Sequence, residues 1–420
     1  MEKGYGKGIP SLTGLAPPLS DPVAALFASM CARGYAASTL AVYARVIDHF
    51  ARWARGARYP VGLWREAIVE AFVDRHLPAC RCVGRIRRCR HGVPTVLRQL
   101  LGVLRAHHVT RSPIRPRPTA LAIEVERFDR HLRTVCGAAA ATRRYRTRYV
   151  REFLAAVFGA RPIVIAQLSP AVVVRFVTTR AQGCAPGTAR VIASTLRSYL
   201  RFRQLGGLGY AAQLLAAVPH VAGWRLATLP RTFTDAQLRS VLAAFDRTRR
   251  VGRRDYAMVL CMATLGLRAS EVAALRIRDI DWRTGTLGVA SGKTHRARRL
   301  PLPAAVGQAV AAYVRRGRPA TTASQLFVRH APPRGAAVDA AIVRNAARAA
   351  YRRAGLPSEY TGTHVLRHTV ATRLVCAGTP LKAIADVLGH QSIDTTAIYA
   401  KVDFPHLRAV ALPWPRRLTS

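Results

Sequence analysis

Residues 363–399 read THVLRHTVATRLVCAGTPLKAIADVLGHQSIDTTAIY, and this stretch decides how the C-terminal part of the chain is interpreted. His364, Arg367 and His368 fall at i, i+3 and i+4, so a helix sets them on one face while Leu366, Val370 and Leu374 turn to a core. A guanidinium on such a face can grip two phosphate oxygens at once. His364 and His368 are spaced like a zinc pair, but the glutamate of an HExxH helix is missing and Arg367 lies between them. Farther along, Gly389 is placed to end one helix, Ser392 to cap the next, and Tyr399 to emerge two turns into it. Tyrosine titrates near about 10, so as a nucleophile at neutral pH it needs a base or a strongly cationic pocket. The pattern predicts helix from Asp339 through to Tyr399.

Upstream, residues 265–275 (LGLRASEVAAL) place Gly266 to break one helix, Arg268 in the first turn of the next, and Glu271 one turn on, able to orient it. The turn Ser291-Gly292-Lys293-Thr294-His295 falls between two expected strands and carries at its tip Lys293, one of only five lysines in the chain. A long ammonium there can reach into a groove and donate a proton. Alternation through Ile280 to Trp282 and Thr286 to Val289 predicts a hairpin turning at Thr284-Gly285, with a further strand over Arg296 to Leu302. Thr234 and Gln237 make a capping box for a new helix. Residues 232–402 are therefore expected to form a mostly helical catalytic domain with a small antiparallel sheet. A tail, 403–420, carries Leu407, Val410 and Leu412.

Working toward the N-terminus, residues 1–21 form a Gly- and Pro-rich lead-in, and helical periodicity begins at Pro22. Between Ala24 and Trp53, Leu40, Tyr43, Ile47 and Phe50 share one apolar face. A second segment repeats this one: Gly34, Thr39, Arg45 and Phe50 recur as Gly137, Thr142, Arg148 and Phe153 at a constant offset of 103. With one inserted residue, Ala67, Val69, Phe72 and Val73 answer to Ala171, Val173, Phe176 and Val177. Two related helical modules follow, 22–112 and 119–218, joined by a Pro-rich stretch, with a linker at 219–231. Both carry arginines beside apolar faces, suiting helices laid along DNA phosphates.

The formal charge is +45, from 66 basic against 21 acidic residues. Such an excess implies a polyanionic partner, and double-stranded DNA comes first because neutralised phosphates release counterions. No apolar run approaches the roughly 18 residues that span a bilayer, so no membrane role is expected. Eight scattered cysteines suggest a reduced, cytoplasmic, nucleoid-associated protein rather than a disulfide framework. Cys80, Cys82, Cys89 and His91 lie close together among arginines and could hold a structural zinc, although Cys-x-Cys is tighter than the usual hook.

Together, Arg268, Lys293, His364-x-x-Arg367, Leu388-Gly389-His390 and Tyr399 resemble, in order, kind and spacing, the active-site set of the tyrosine recombinases, the phage integrase family. The second helical module looks like that family's core-binding domain. The resemblance implies site-specific cutting and rejoining of DNA through a 3′-phosphotyrosine at Tyr399, in the service of a mobile genetic element. Arg268 and Arg367 would clamp the phosphate; Lys293 would protonate the departing 5′-oxygen. His364 and His390 would bond the phosphate or shuttle a proton, with Glu271 and His368 in support. It further implies no cofactor and no catalytic metal. The expected assembly is a homo-oligomer, a tetrameric synapse on DNA, with tail docking between protomers and further recombinase subunits as candidates. The competing readings are a type IB topoisomerase-like activity and a catalytically silent DNA-binding subunit.

Overall fold

The computed structural model describes residues 15–82, 92–112, 117–159, 161–207, 211–222, 230–290, 297–390 and 392–402. Among them no helix is long and apolar enough to cross a membrane. The architecture is mainly α with one small antiparallel sheet, as the sequence pattern predicts.

The first helical region contains α1 (Ser20–Ala32), α2 (Ala37–Gly56), α3 (Glu66–Ala71) and α4 (Val93–Ala106). The apolar stretch 24–53 is not one helix, because Gly34 turns the chain with a left-handed φ of 77° between α1 and α2. Val23, Phe27, Leu40, Ile47, Phe50, Leu97 and Leu100 come together in its core. α3 does not end cleanly: it runs into a π-helical turn over Phe72–His76, with the Leu77 amide bonded to the Phe72 carbonyl at 2.9 Å.

The second region contains α5 (Ala120–Thr134), α6 (Ala140–Phe158), α7 (Pro170–Ala181), α8 (Pro186–Leu205) and α9 (Ala211–Ala216). Its core is separate, built from Phe128, Val150, Phe153, Leu196 and Tyr199 among others. Residues 114–227 form a compact unit of their own, and the rest of the chain forms another. The element order of the first region recurs here. Two long helices are followed by a 3₁₀ turn (Val61–Leu63, then Ile165–Gln167), a third helix and a fourth. Phe50 meets Phe72 edge-on at 5.2 Å, and the residues that match them in sequence, Phe153 and Phe176, meet edge-on at 5.1 Å.

The third region opens with α10 (Asp235–Ala243), started by the expected Thr234–Gln237 capping box. α11 (Arg250–Leu265) is buried on most of its surface, as Met258 to Ala263 show, and so forms the centre of this core. α12 (Ala269–Ala274) follows. Then come β1 (Ile280–Asp281), β2 (Thr286–Val289) and β3 (Arg298–Pro301), paired antiparallel in the order β1-β2-β3. The hairpin turns at Gly285, with Ile280 opposite Leu287. α13 (Ala304–Arg316), α14 (Ala340–Arg353), α15 (His364–Cys376) and α16 (Leu381–Leu388) complete the helices.

The expectation of helix throughout 339–399 is corrected at its end. After α16 the chain makes two 3₁₀ segments, Ile393–Thr395 and Ala397–Val402, and Tyr399 lies on the second instead of two turns into an α-helix. Ile393, Thr395, Thr396 and Ile398 are all branched at Cβ, which disfavours α-helix. The backbone closes instead through three-residue bonds, such as Tyr399 N–H to the Thr396 carbonyl at 2.9 Å.

Candidate active site

Four elements of the third region converge on one polar cluster. Gly266 caps α11 with φ 65°, a left-handed turn that favours glycine, and a Cβ there would press within 2.6 Å of Leu388 Cδ2. The turn delivers Arg268, which stands at the N-cap of α12, one position before the first-turn placement expected from sequence. Its amide donates to Glu271 Oε2 at 2.9 Å and its Nη1 to Glu271 Oε1 at 2.7 Å; Nη2 reaches the Gly389 carbonyl at 3.3 Å.

Glu271 is also held from the sheet. Arg298 on β3 donates to both of its oxygens, at 3.3 and 3.0 Å. Burial works to raise the Glu271 carboxyl, but hydrogen bonds from Arg298 and Arg268 outweigh it and hold the group below its ordinary value. Arg298 was not singled out by sequence reading. The available signal was its parity on β3: it shares a strand face with Leu300, which is buried. Removing Glu271 would leave two guanidinia close together with no counter-charge, a loss of about 3–5 kcal/mol.

α15 presents Arg367 and His368 toward the same cluster, but its polar face is not an open surface. Arg367 is only 4% exposed. Its Nη1 donates to the Gly266 carbonyl at 2.7 Å and its Nη2 to the Leu388 carbonyl. Burial and then Arg268 lower its pKa to about 10, so it stays a cation at neutral pH. A guanidinium has five N–H donors, and two fixed carbonyl bonds leave others for an anion. His364, one turn earlier, is exposed, its ring 6.3 Å from that of His368.

Tyr399 is 2% exposed, and its hydroxyl lies 2.7 Å from His368 Nδ1. Burial raises the phenol, while Arg367 and Arg268 pull it back. His368 is lowered to about 4 by burial first, then by His364 and Arg367. The imidazole is therefore neutral near pH 7 and can accept a hydrogen bond from the phenol, and the negative charge of a bound phosphate would raise its affinity for the proton. His390 is likewise lowered to about 4 by burial, Arg367, Arg268 and Arg298, and its Nδ1 is 2.7 Å from Thr396 Oγ1.

The fold thus gathers Arg268, Glu271, Arg367, His368, His390 and Tyr399, with His364 at the edge. Lys293, Cys89 and His91 lie outside the described residues, as does the 403–420 tail. His368, expected in a supporting role, is the side chain bonded to the tyrosine hydroxyl.

Residues 231–406 match the family model described as the phage integrase family. Integrase/recombinase y4rA of Sinorhizobium fredii, so named only provisionally, is 39% identical over 336 residues, spanning 79% of this chain and 81% of that protein. The chain belongs to the phage integrase family of tyrosine recombinases. Tyrosine recombinase XerA of Thermococcus kodakarensis is 30% identical over 285 residues, 68% of this recombinase and 92% of its own length. Two solved structures share the fold. The Tn1549 transposon integrase in complex with a circular intermediate DNA aligns at TM-score 0.53 and 18% identity, over 68% of this chain and 99% of that one. XerH site-specific recombinase bound to difH substrate, in a post-cleavage complex, aligns at 0.52 and 17%, over 71% and 98%. Membership makes the protein a site-specific recombinase and disfavours the topoisomerase and silent-binder readings.

Proposed function

We propose that this recombinase breaks and rejoins double-stranded DNA for a mobile genetic element, with Tyr399 as nucleophile and His368 as the base nearest to it. The observation that carries the reading is the Tyr399 hydroxyl 2.7 Å from a neutral His368, beside the Arg367 and Arg268 guanidinia. Arg268 and Arg367 bind the scissile phosphate and stabilise the charge that grows on its equatorial oxygens. The Tyr399 oxygen bonds to phosphorus as its proton passes to His368, and the bond from phosphorus to the 5′-oxygen breaks. Lys293 gives that oxygen a proton. Attack by a 5′-hydroxyl from another strand reverses these steps and frees Tyr399. Glu271 orients Arg268 and Arg298; His364 and His390 bond the phosphate.

At 2% exposure Tyr399 cannot reach a phosphate in the arrangement described. Cleavage therefore requires segment 397–402 to move outward when DNA and neighbouring protomers assemble, in a tetrameric synapse on this reading. For the proton to pass to His368, their hydrogen bond is kept or re-formed after that movement.

Covalent trapping tests the proposal. The purified chain is incubated with nicked duplexes from the flanks of its own gene, in buffer without added divalent metal. An SDS-resistant protein–DNA band that disappears in Tyr399→Phe is expected, and in His368→Asn the band should form about a hundredfold more slowly, the lower end of a general base's contribution of about 10²–10⁴-fold. A band of full intensity in Tyr399→Phe would overturn the assignment.

A further inference from the structure

Outside the catalytic cluster, the first helical region buries a second group of chemically unusual side chains. His49 on α2, His76 at the end of the π turn, and Cys80 and Cys82 just beyond it bring their donor atoms within 4.8 Å of one another. His49 Nε2 lies 3.1 Å from His76 Nε2, Cys80 Sγ 3.5 Å from His49 Nε2, and Cys82 Sγ 3.6 Å from His76 Nε2. A tetrahedral zinc ion bonds nitrogen at about 2.0–2.1 Å and sulfur at about 2.3 Å, which sets its ligands about 3.3 Å (N to N) and 3.5 Å (N to S) apart. These three spacings match the edges of such a tetrahedron, and with all four donors within 4.8 Å a small side-chain adjustment closes the rest.

We propose that His49, His76, Cys80 and Cys82 form a structural zinc site that clamps α2 to the end of α3. This replaces the sequence-level grouping of Cys80 and Cys82 with Cys89 and His91, because only tertiary folding brings α2 beside this segment. The site is half-buried: His49 and Cys80 are buried, His76 and Cys82 partly so, Phe72 stacks on His76 at 5.3 Å, and Trp53 packs beside it at 5.6 Å. Four protein ligands with no open position mark a structural zinc and not a catalytic one. The π turn provides the geometry, since its extra residue per turn rotates His76 toward His49.

The second module supplies an independent argument. At the repeat offset, His49 corresponds to Glu152, His76 to Arg180 and Cys80 to Cys184. There Arg180 donates to Glu152 at 2.9 Å and reaches Cys184 Sγ at 3.7 Å. The same two helices are thus tied by a carboxylate and a guanidinium that neutralise each other. In the first module the corresponding pair is two imidazoles joined by two thiols. Deprotonated, the two thiols carry two negative charges, which a divalent cation balances.

The full chain, expressed without an oligohistidine tag and kept reduced, is dialysed against metal-free buffer and its zinc content measured. One zinc per chain is expected. Exchange with cobalt(II) should give the intense ligand-field bands of a tetrahedral site with a sulfur-to-cobalt charge-transfer band. Both should be lost in the Cys80→Ser, Cys82→Ser double variant and kept in Cys376→Ser, which alters an exposed cysteine elsewhere. A reduced full chain that binds no cobalt, or binds it without the thiolate band, overturns the proposal even if the double variant fails to fold. Unchanged metal content in a folded double variant overturns the residue assignment.

Discussion

The two helical modules run through the same order of elements, with the same edge-on phenylalanine contact, yet they fasten their second and third helices with different chemistry. In the second module the fastening is an ion pair at the surface boundary, Glu152 with Arg180 and Arg148, its side chains about one-third exposed apart from the more open Arg148. In the first it is a half-buried cluster of imidazoles and thiols. The difference teaches that a repeated backbone preserves where helices must be joined, not how. An ion pair brings its own counter-charge, whereas two thiolates beside two imidazoles need a cation to balance them.

Metal removal should separate the modules most sharply. A strong chelator is expected to lower the first module's melting temperature by on the order of 10 °C or more, a shift corresponding to roughly 2 kcal/mol in a domain of this size. The second module's transition should stay in place. Differential scanning calorimetry with hydrogen exchange resolved by peptide reads both, and equal loss of protection in the two modules would erase the distinction.

Truncating the shared aromatic contact should act on both, unequally. Phe72→Ala removes a fully buried ring and should cost about 3–5 kcal/mol, while Phe176, only partly buried, should cost less. Chemical denaturation compares them. Equal costs would mean that the two contacts, alike in distance and angle, sit in equally closed cores.

The glycine pair gives a smaller test. Gly34 and Gly137 both turn the chain at positive φ, 77° and 57°. A Cβ on Gly137 meets nothing within 4 Å, so Gly137→Ala should cost only the backbone strain, about 1 kcal/mol. One on Gly34 would lie 2.9 Å from Arg334 Cβ, where the Arg334 amide also bonds the Arg33 carbonyl, so Gly34→Ala should cost more. A reversed order would break the comparison.

The smallest effect belongs to the ion pair. Glu152→Gln should cost about 0.5–1 kcal/mol, since its partners are substantially solvated. Burial works to raise the Glu152 carboxyl, but Arg148 and Arg180 hold it below 4.5. A carboxylate lowered on folding contributes stability above its ordinary pKa and loses it as the pH falls through the folded value. The wild type's advantage over Glu152→Gln should therefore persist at pH 7, begin to fade near 4.5 and vanish once the pH has fallen through the lower folded value. An advantage that faded already at pH 6 would point to another group.

The catalytic region was legible to a different depth in its different parts. Gly266 and Gly389 were readable as helix ends because the left-handed turn is a local demand, and both are left-handed helix caps. The HVLRH spacing placed Arg367 and His368 together for the same reason. The covering of that face by Gly266 and Leu388 was not readable, since those carbonyls come from elements 101 and 21 residues away. Nor was Arg298, whose partner Glu271 lies 27 residues off.

What the sequence by itself determined, then, was the helical periods, the hairpin turn, the repeat and the ordered set of polar residues, all consequences of neighbours within a turn or two. Tertiary structure alone decided that Tyr399 is buried against His368, that Glu271 is shared by two arginines, and that Cys80 and Cys82 face His49 and His76. Such contacts join residues far apart in the chain, and packing and desolvation, which no local pattern encodes, select them.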